Sequence, residues 1–222
     1  MAAPKPDLHW IRPPRQARSQ ETLERILDAA EALVAEKGFE DTPVSEIVAR
    51  AGSSVGAFYA RFHDKEGLLH ALYERYYEEA VATTDATLAP ARWEGAETAE
   101  LVSAVIPFLV SIFRERRGLM RAFVVRNHTH PEFQARQQRL SHYVIAKLST
   151  LLLARGEQLS HPDPERATRF GFMLVFSALE SMILFGEMRD ALLSLSDESL
   201  ADELTRSTLA YLGANPSSKE LS

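Results

Sequence analysis

The stretch from Ser54 to Lys65 carries side chains suited to contact with a nucleic acid. Ser54 offers a hydroxyl where a helix would begin, and the backbone N–H groups of a helix N-terminus attract phosphate. Gly56 has no side chain, so the backbone there can approach a ligand closely. Ala57 is small enough to meet a thymine methyl. Tyr59 and Lys65 can reach flanking phosphates, and His63 can do the same.

Such contacts need elements that hold them on one face. Apolar residues at Leu23, Ile26, Leu27, Ala30, Leu33 and Val34 predict a helix over residues 19–37, with Ser19 as its cap and Gly38 as a left-handed stop. Thr42 is expected to cap a second, short helix, with Pro43 in its first position and Ile47, Val48 and Ala51 inward. Gly52 permits the positive φ of a tight turn. A third short helix follows Ser54, with Val55, Phe58, Tyr59 and Phe62 spaced by three and four. Asp64 caps a fourth. Helix, tight turn, helix is the geometry that lets a second helix enter a major groove. Glycine turns also join buried helical hairpins, so spacing alone leaves DNA binding open.

Further helices are expected at residues 99–115, 118–128, 131–155, 164–188 and 197–212. The stretch at 89–97 is the candidate connection, and the fold class is all-α. The absence of cysteine removes disulfides, thiolate metal sites and cysteine nucleophiles. No phosphate loop, nucleophile motif or clustered metal ligands are present, which argues against an enzyme, and no cofactor is expected. His128-Thr129-His130 reads as a surface turn before Pro131 rather than a metal site. Residues 170–186 are apolar but interrupted by Glu180 and short for a span of roughly 20 residues, so a buried helix of a soluble, cytoplasmic protein is expected.

Charge is the weak support. The chain has a formal net charge of -6, and residues 1–66 hold nine Lys and Arg against eleven Asp and Glu. Contact with DNA therefore needs charges sorted by face. Arg12, Arg15 and Arg18 lie in a leading segment that is either an arm for DNA or a solvated tail.

Residues 19–72 resemble the N-terminal domain of the TetR family of regulators. The resemblance rests on Arg25-Ile26-Leu27-Asp28-Ala29-Ala30, Gly38-Phe39, Thr42, Ile47-Val48-Ala49-Arg50-Ala51-Gly52, Ser54-Val55-Gly56-Ala57-Phe58-Tyr59, Phe62, Lys65-Glu66 and Leu68-Leu69. It implies a DNA-binding transcriptional regulator that represses from a pseudo-palindromic operator. Thr42, Ser45, Ser54, Val55, Gly56, Ala57, Tyr59, His63 and Lys65 then fall at DNA-facing positions. Ser53 stands where the family usually has an aliphatic residue. The implied division is an arm at 1–18, a helix-turn-helix unit at 19–66, an effector-binding and dimerisation unit at 67–213, and a tail at 214–222.

The resemblance further implies a homodimer through the last two long helices and an effector pocket among the others. The dimer face is expected at Phe172, Val175, Leu179 and Ile183 with Leu200, Leu204 and Tyr211. The pocket is expected to take a small apolar or aromatic molecule at Phe108, Phe113, Phe123, Met173 and Phe176. Arg126, Ser177 and Glu180 are its expected polar groups, alongside His128 and His130. The competing reading is a helical protein-interaction module that no longer binds DNA.

Overall fold

The computed structural model describes residues 17–127, 130–186 and 195–214, and among them every regular element is helical. In chain order these are α1 (Ala17–Lys37), α2 (Val44–Arg50), α3 (Val55–Tyr59), α4 (Lys65–Thr87), α5 (Thr98–Glu115), α6 (Arg117–Asn127), α7 (Pro131–Leu153), α8 (Pro164–Leu179) and α9 (Asp197–Leu212). A wider turn at Glu180–Leu184 continues α8, and short 3-10 turns occupy Pro90–Trp93 and Gly156–Gln158.

Local chemistry explains most boundaries. Asp64 accepts from the Gly67 N–H at 2.8 Å and starts α4, and Ser54 accepts from the Ala57 N–H at 3.1 Å and starts α3. Gly52 takes φ +57 in the turn between α2 and α3, and Gly213 ends α9 in the left-handed region. Two expected caps are corrected. α1 begins at Ala17, so Ser19 lies inside it. Pro43, with extended ψ, precedes α2, while Thr42 is fully buried and donates its hydroxyl to the Gly38 carbonyl at 2.7 Å. That bond ties the α1 exit to the α2 entry instead of capping α2.

Two buried apolar clusters organise the chain. One joins α1 to α4 through Ile26, Leu33, Ile47, Phe58, Phe62 and Leu68, and it also takes in Phe123 of α6 and Phe133 of α7. The other packs α5, α7, α8 and α9 around Leu101, Ile106, Leu148, Phe172 and Leu179. The first cluster thus borrows aromatic rings from beyond α4, which anchors the small N-terminal unit on the larger one. Gly118 of α6 lies directly against α1. A Cβ there would lie 2.4 Å from the Val34 carbonyl oxygen of α1, so only glycine fits.

The span 164–184 is long and apolar enough to cross a membrane by length and composition. In this fold it packs one face against α7 and α9. Phe172, Val175, Leu179 and Ile183 are that inner face, each at most 2% exposed. They are core residues and are not available to a second subunit, which corrects their assignment to the dimer face. Leu200 is likewise buried, and Leu204 and Tyr211 pack partly against the same core. The helix has two apolar faces, and Phe172, Val175, Leu179 and Ile183 lie on the inward one. The outward face instead carries Phe170, Met173 and Leu174, at 41%, 47% and 47% exposure.

Candidate functional site: a nucleic-acid interface and a ligand cavity

α3 is short, capped and apolar on its outer side. Val55 and Tyr59 are about half exposed, with Gly56 open between them, while Phe58 beneath is completely buried. The exposed Ser54 Oγ accepts the Ala57 N–H, and its hydroxyl proton is not used by that bond. A Cβ on Gly56 would meet only Ser54 Oγ, at 3.9 Å. Packing inside the chain therefore does not ask for glycine at this position. Glycine in a helix costs roughly 0.5–1 kcal/mol relative to alanine, so the bare backbone is consistent with close approach by something outside. Ser45 of α2 and His63 after α3 are exposed, and Ala57 is partly buried.

Two expected contacts fare differently. Thr42, being buried, does not face outward at all. The Lys65 ammonium donates to the Glu40 carbonyl at 3.1 Å and sits 4.4 Å from the Phe39 ring centroid. Partial burial lowers its pKa, and reaching a phosphate would require leaving that seat.

Part of the acidity of the N-terminal unit is met by ion pairs, some of them with cations of α4 and α6. Arg126 of α6 pairs with Glu66 at 2.7 Å and Glu40 at 2.8 Å. Arg75 of α4 pairs with Asp28 at 2.6 Å and with Glu31. Lys37 meets Glu46, and Arg50 meets Glu36 at 2.6 Å. Asp28, Glu31 and Glu36 of α1 are thus each engaged by a guanidinium. Arg12 and Arg15 lie outside the described residues, and so does the structure around His128 and Thr129.

A cavity of about 530 Å³ opens among α4, α5, α6, α7 and α8. Phe108, Phe113, Phe123, Met173, Phe176, Ser177 and Glu180 all line it, as expected for a pocket. Arg126 does not. Its guanidinium is turned to Glu66 and Glu40, where the carboxylates raise its pKa. Phe133 belongs to the α1–α4 core, and the Tyr143 hydroxyl donates to Asp85 at 2.5 Å. Sequence reasoning missed Tyr76, Gln137 and Arg116 on the wall. Tyr76 shares the α4 stripe with Leu69, Leu72 and Tyr73, and periodicity cannot separate a ring facing a core from one facing a hollow.

Arg116 has the most consequential position. At the α5–α6 joint it lines the cavity, pairs with Glu79 of α4 at 3.0 Å, and pairs with Glu31 of α1. Two residues on, Gly118 touches the α1 backbone. A wall of the cavity and the helix that carries the α2–α3 pair therefore share one joint.

Residues 26–72 match the sequence profile described as bacterial regulatory proteins, tetR family. The chain is 45% identical over 56 residues to an uncharacterised HTH-type transcriptional regulator, YerO, of Bacillus subtilis, which is 25% of this chain and 19% of that protein. It is 37% identical over 60 residues to the A-factor receptor protein of Streptomyces griseus, 27% of this chain and 22% of the relative. These matches span about a fifth of the curated relatives' length. Over the whole chain the likeness is one of fold. A candidate TetR-family regulator from Mesorhizobium loti superposes with a TM-score of 0.70 at 20% identity, covering 89% of this chain and 98% of the other. SmeT, described as the repressor of the Stenotrophomonas maltophilia multidrug efflux pump SmeDEF, gives 0.60 at 25% identity, covering 86% and 90%.

Proposed function

We propose, for a chain that belongs through its residues 26–72 to the tetR family of bacterial regulatory proteins, that it is a ligand-responsive transcriptional repressor acting as a soluble, cytoplasmic homodimer. The observation that carries this reading is α3. Val55, Gly56 and Tyr59 form an outward face that none of the other described residues covers, on a helix whose start is fixed by Ser54. Ser54, Val55, Gly56, Ala57 and Tyr59 enter the major groove or its edge, with Ser45 and His63 beside them. Lys65 reaches a phosphate only by leaving Glu40. SmeT, of the same fold, is described as a repressor, which favours repression over activation.

Pairing through the outer faces of α8 and α9 supplies the second recognition helix. Phe170 and Leu174 are the apolar part of that surface. Two copies of α3 then face one side of a duplex, about 34–36 Å apart or somewhat more, and read a pseudo-palindrome. The working division is residues 19–66 for DNA and 67–213 for effector and dimer. The flanks are an arm that ends where α1 begins at Ala17, and a tail at 214–222.

The effector occupies the cavity and is a small, predominantly apolar molecule, as the phenylalanine-rich wall favours. Its binding moves the α5–α6 joint, and Arg116 and Gly118 pass that shift to α1. Switching an operator-competent population from 1:99 to 99:1 takes a differential affinity of about 5.5 kcal/mol. A gel-shift with the DNA flanking the chain's own gene tests the reading: a shift at low salt is expected. A well-folded dimer giving none would favour the interaction module instead.

A further inference from the structure

Among the groups on the cavity wall, the Tyr76 phenol stands apart. It is almost wholly surrounded by protein, yet it retains accessible surface, and that surface faces the cavity. Among the described residues its hydroxyl has no hydrogen-bond partner, and burial is the sole influence on its titration. That burial pushes its pKa up to about 12, so at neutral pH the group is a hydrogen-bond donor. Its ring is fixed against Phe123, with centroids 5.6 Å apart.

Gln137 and Ser141 are half-buried polar groups of the same wall, but each carries both donor and acceptor atoms, whereas the phenol is held by its ring in one direction. The Thr84 hydroxyl donates to the Ala80 carbonyl at 2.7 Å, and Glu79 holds Arg116. Glu115 is exposed beside them. A donor left without an acceptor in an apolar hollow loses hydrogen-bonding free energy until something fills the place. Among the described lining residues carboxylates outnumber cations, with Glu79, Glu115 and Glu180 against Arg116. That balance disfavours an anionic acceptor.

Resting on the effector-pocket reading above, we propose that Tyr76 is the specificity-determining group of the cavity, and that the effector is an uncharged apolar molecule whose carbonyl-type oxygen accepts the Tyr76 proton. Tyr73 provides an internal control. Its hydroxyl is also unpartnered, but it is sealed in the α1–α4 core and does not line the cavity.

The test uses two fluorescent probes with the full chain. One is 6-propionyl-2-(dimethylamino)naphthalene, which carries a ketone; the other is N-phenyl-1-naphthylamine, which carries no oxygen. Tyr76→Phe is expected to weaken ketone binding about fivefold or more, the scale of one hydrogen bond. The bound ketone's emission should shift to the blue as that bond is lost. Affinity for the oxygen-free probe should stay within about twofold, since only an oxygen acceptor engages the hydroxyl. Tyr73→Phe should leave both probes unchanged. The melting temperature of Tyr76→Phe should not fall, because no bond within the protein is broken. A drop in melting temperature, equal weakening of both probes, or no change in either would overturn the assignment of Tyr76. Failure of both probes to bind the unaltered chain would instead remove the cavity reading beneath it.

Discussion

Arg116 and Glu31 are ion-paired across the seam between the cavity wall and α1. Arg75 reaches the same carboxylate from α4, so Glu31 is the point where three helical segments meet. Glu31 keeps 22% and Arg116 37% of side-chain exposure, which places the pair between a surface bridge and a buried one. A double-mutant cycle of Glu31→Gln and Arg116→Gln, measured by urea unfolding, should give a coupling energy of about 0.5–1 kcal/mol. Strictly additive effects would mean that the pair transmits nothing.

Gly56→Ala separates folding from function. Because a new Cβ meets only Ser54 Oγ at 3.9 Å, the chain should become more stable, by about 0.5–1 kcal/mol in urea unfolding. Operator affinity should fall by about tenfold or more, the scale of one disturbed base-pair contact. Unchanged affinity in the stabilised variant would place α3 outside the groove.

Leu174→Glu puts a charge at the centre of the exposed α8 face without touching the core. Sedimentation should show a folded monomer in place of a dimer, with weakened operator binding as a consequence. A variant that remains a dimer would move the interface to another surface. The equivalent change at Val175, which is 2% exposed, should unfold the chain instead, because it leaves an unpaired charge in the interior.

His70 links stability to acidity. It stacks on Phe133 at 4.4 Å between centroids, and its Nδ1 accepts from Arg136 at 3.0 Å. Burial, and then the Arg136 charge, lower its pKa from 6.5 to about 4, while Glu132 and Glu66 oppose the shift and His130 adds to it. A histidine of depressed folded pKa binds its proton more readily in the unfolded chain. Its contribution is therefore complete above pH 6.5 and lost as pH falls toward 4. After allowance for partial exposure the loss is on the order of 1–2 kcal/mol. His70→Asn keeps an acceptor for Arg136 and should flatten the difference in urea stability between pH 7 and pH 4.5; an unaltered slope would assign it to other groups.

How much of this was legible in the sequence follows from what each signal measures. Capping gave the starts of α3 and α4, because Ser54 and Asp64 act locally, and periodicity gave α9 at its observed bounds. Thr42 misled because a threonine before a proline reads as a cap, whereas its hydroxyl turns back to Gly38. The α8 dimer residues failed for a geometric reason: a helix apolar all round does not say which side meets its own core. Arg126 looked like a polar group for the pocket, yet its partners Glu40 and Glu66 are distant in sequence and only the fold brings them together. Tyr76 and Arg116 carried no sequence mark of the cavity they line. Of the ten expected pocket residues seven line the cavity, five of them bulky apolar side chains on α5, α6 and α8, which surround whatever space those helices leave.

The central claim, a dimer reading DNA through two copies of α3, is tested most directly by hydroxyl-radical footprinting on a duplex selected by the chain from random sequence. The account predicts two protected patches on one face of the duplex, related by a two-fold axis and separated by about one helical turn or somewhat more. Tyr59→Ala should weaken both patches together without moving them. A single patch, or protection that persists undiminished in Tyr59→Ala, would contradict it.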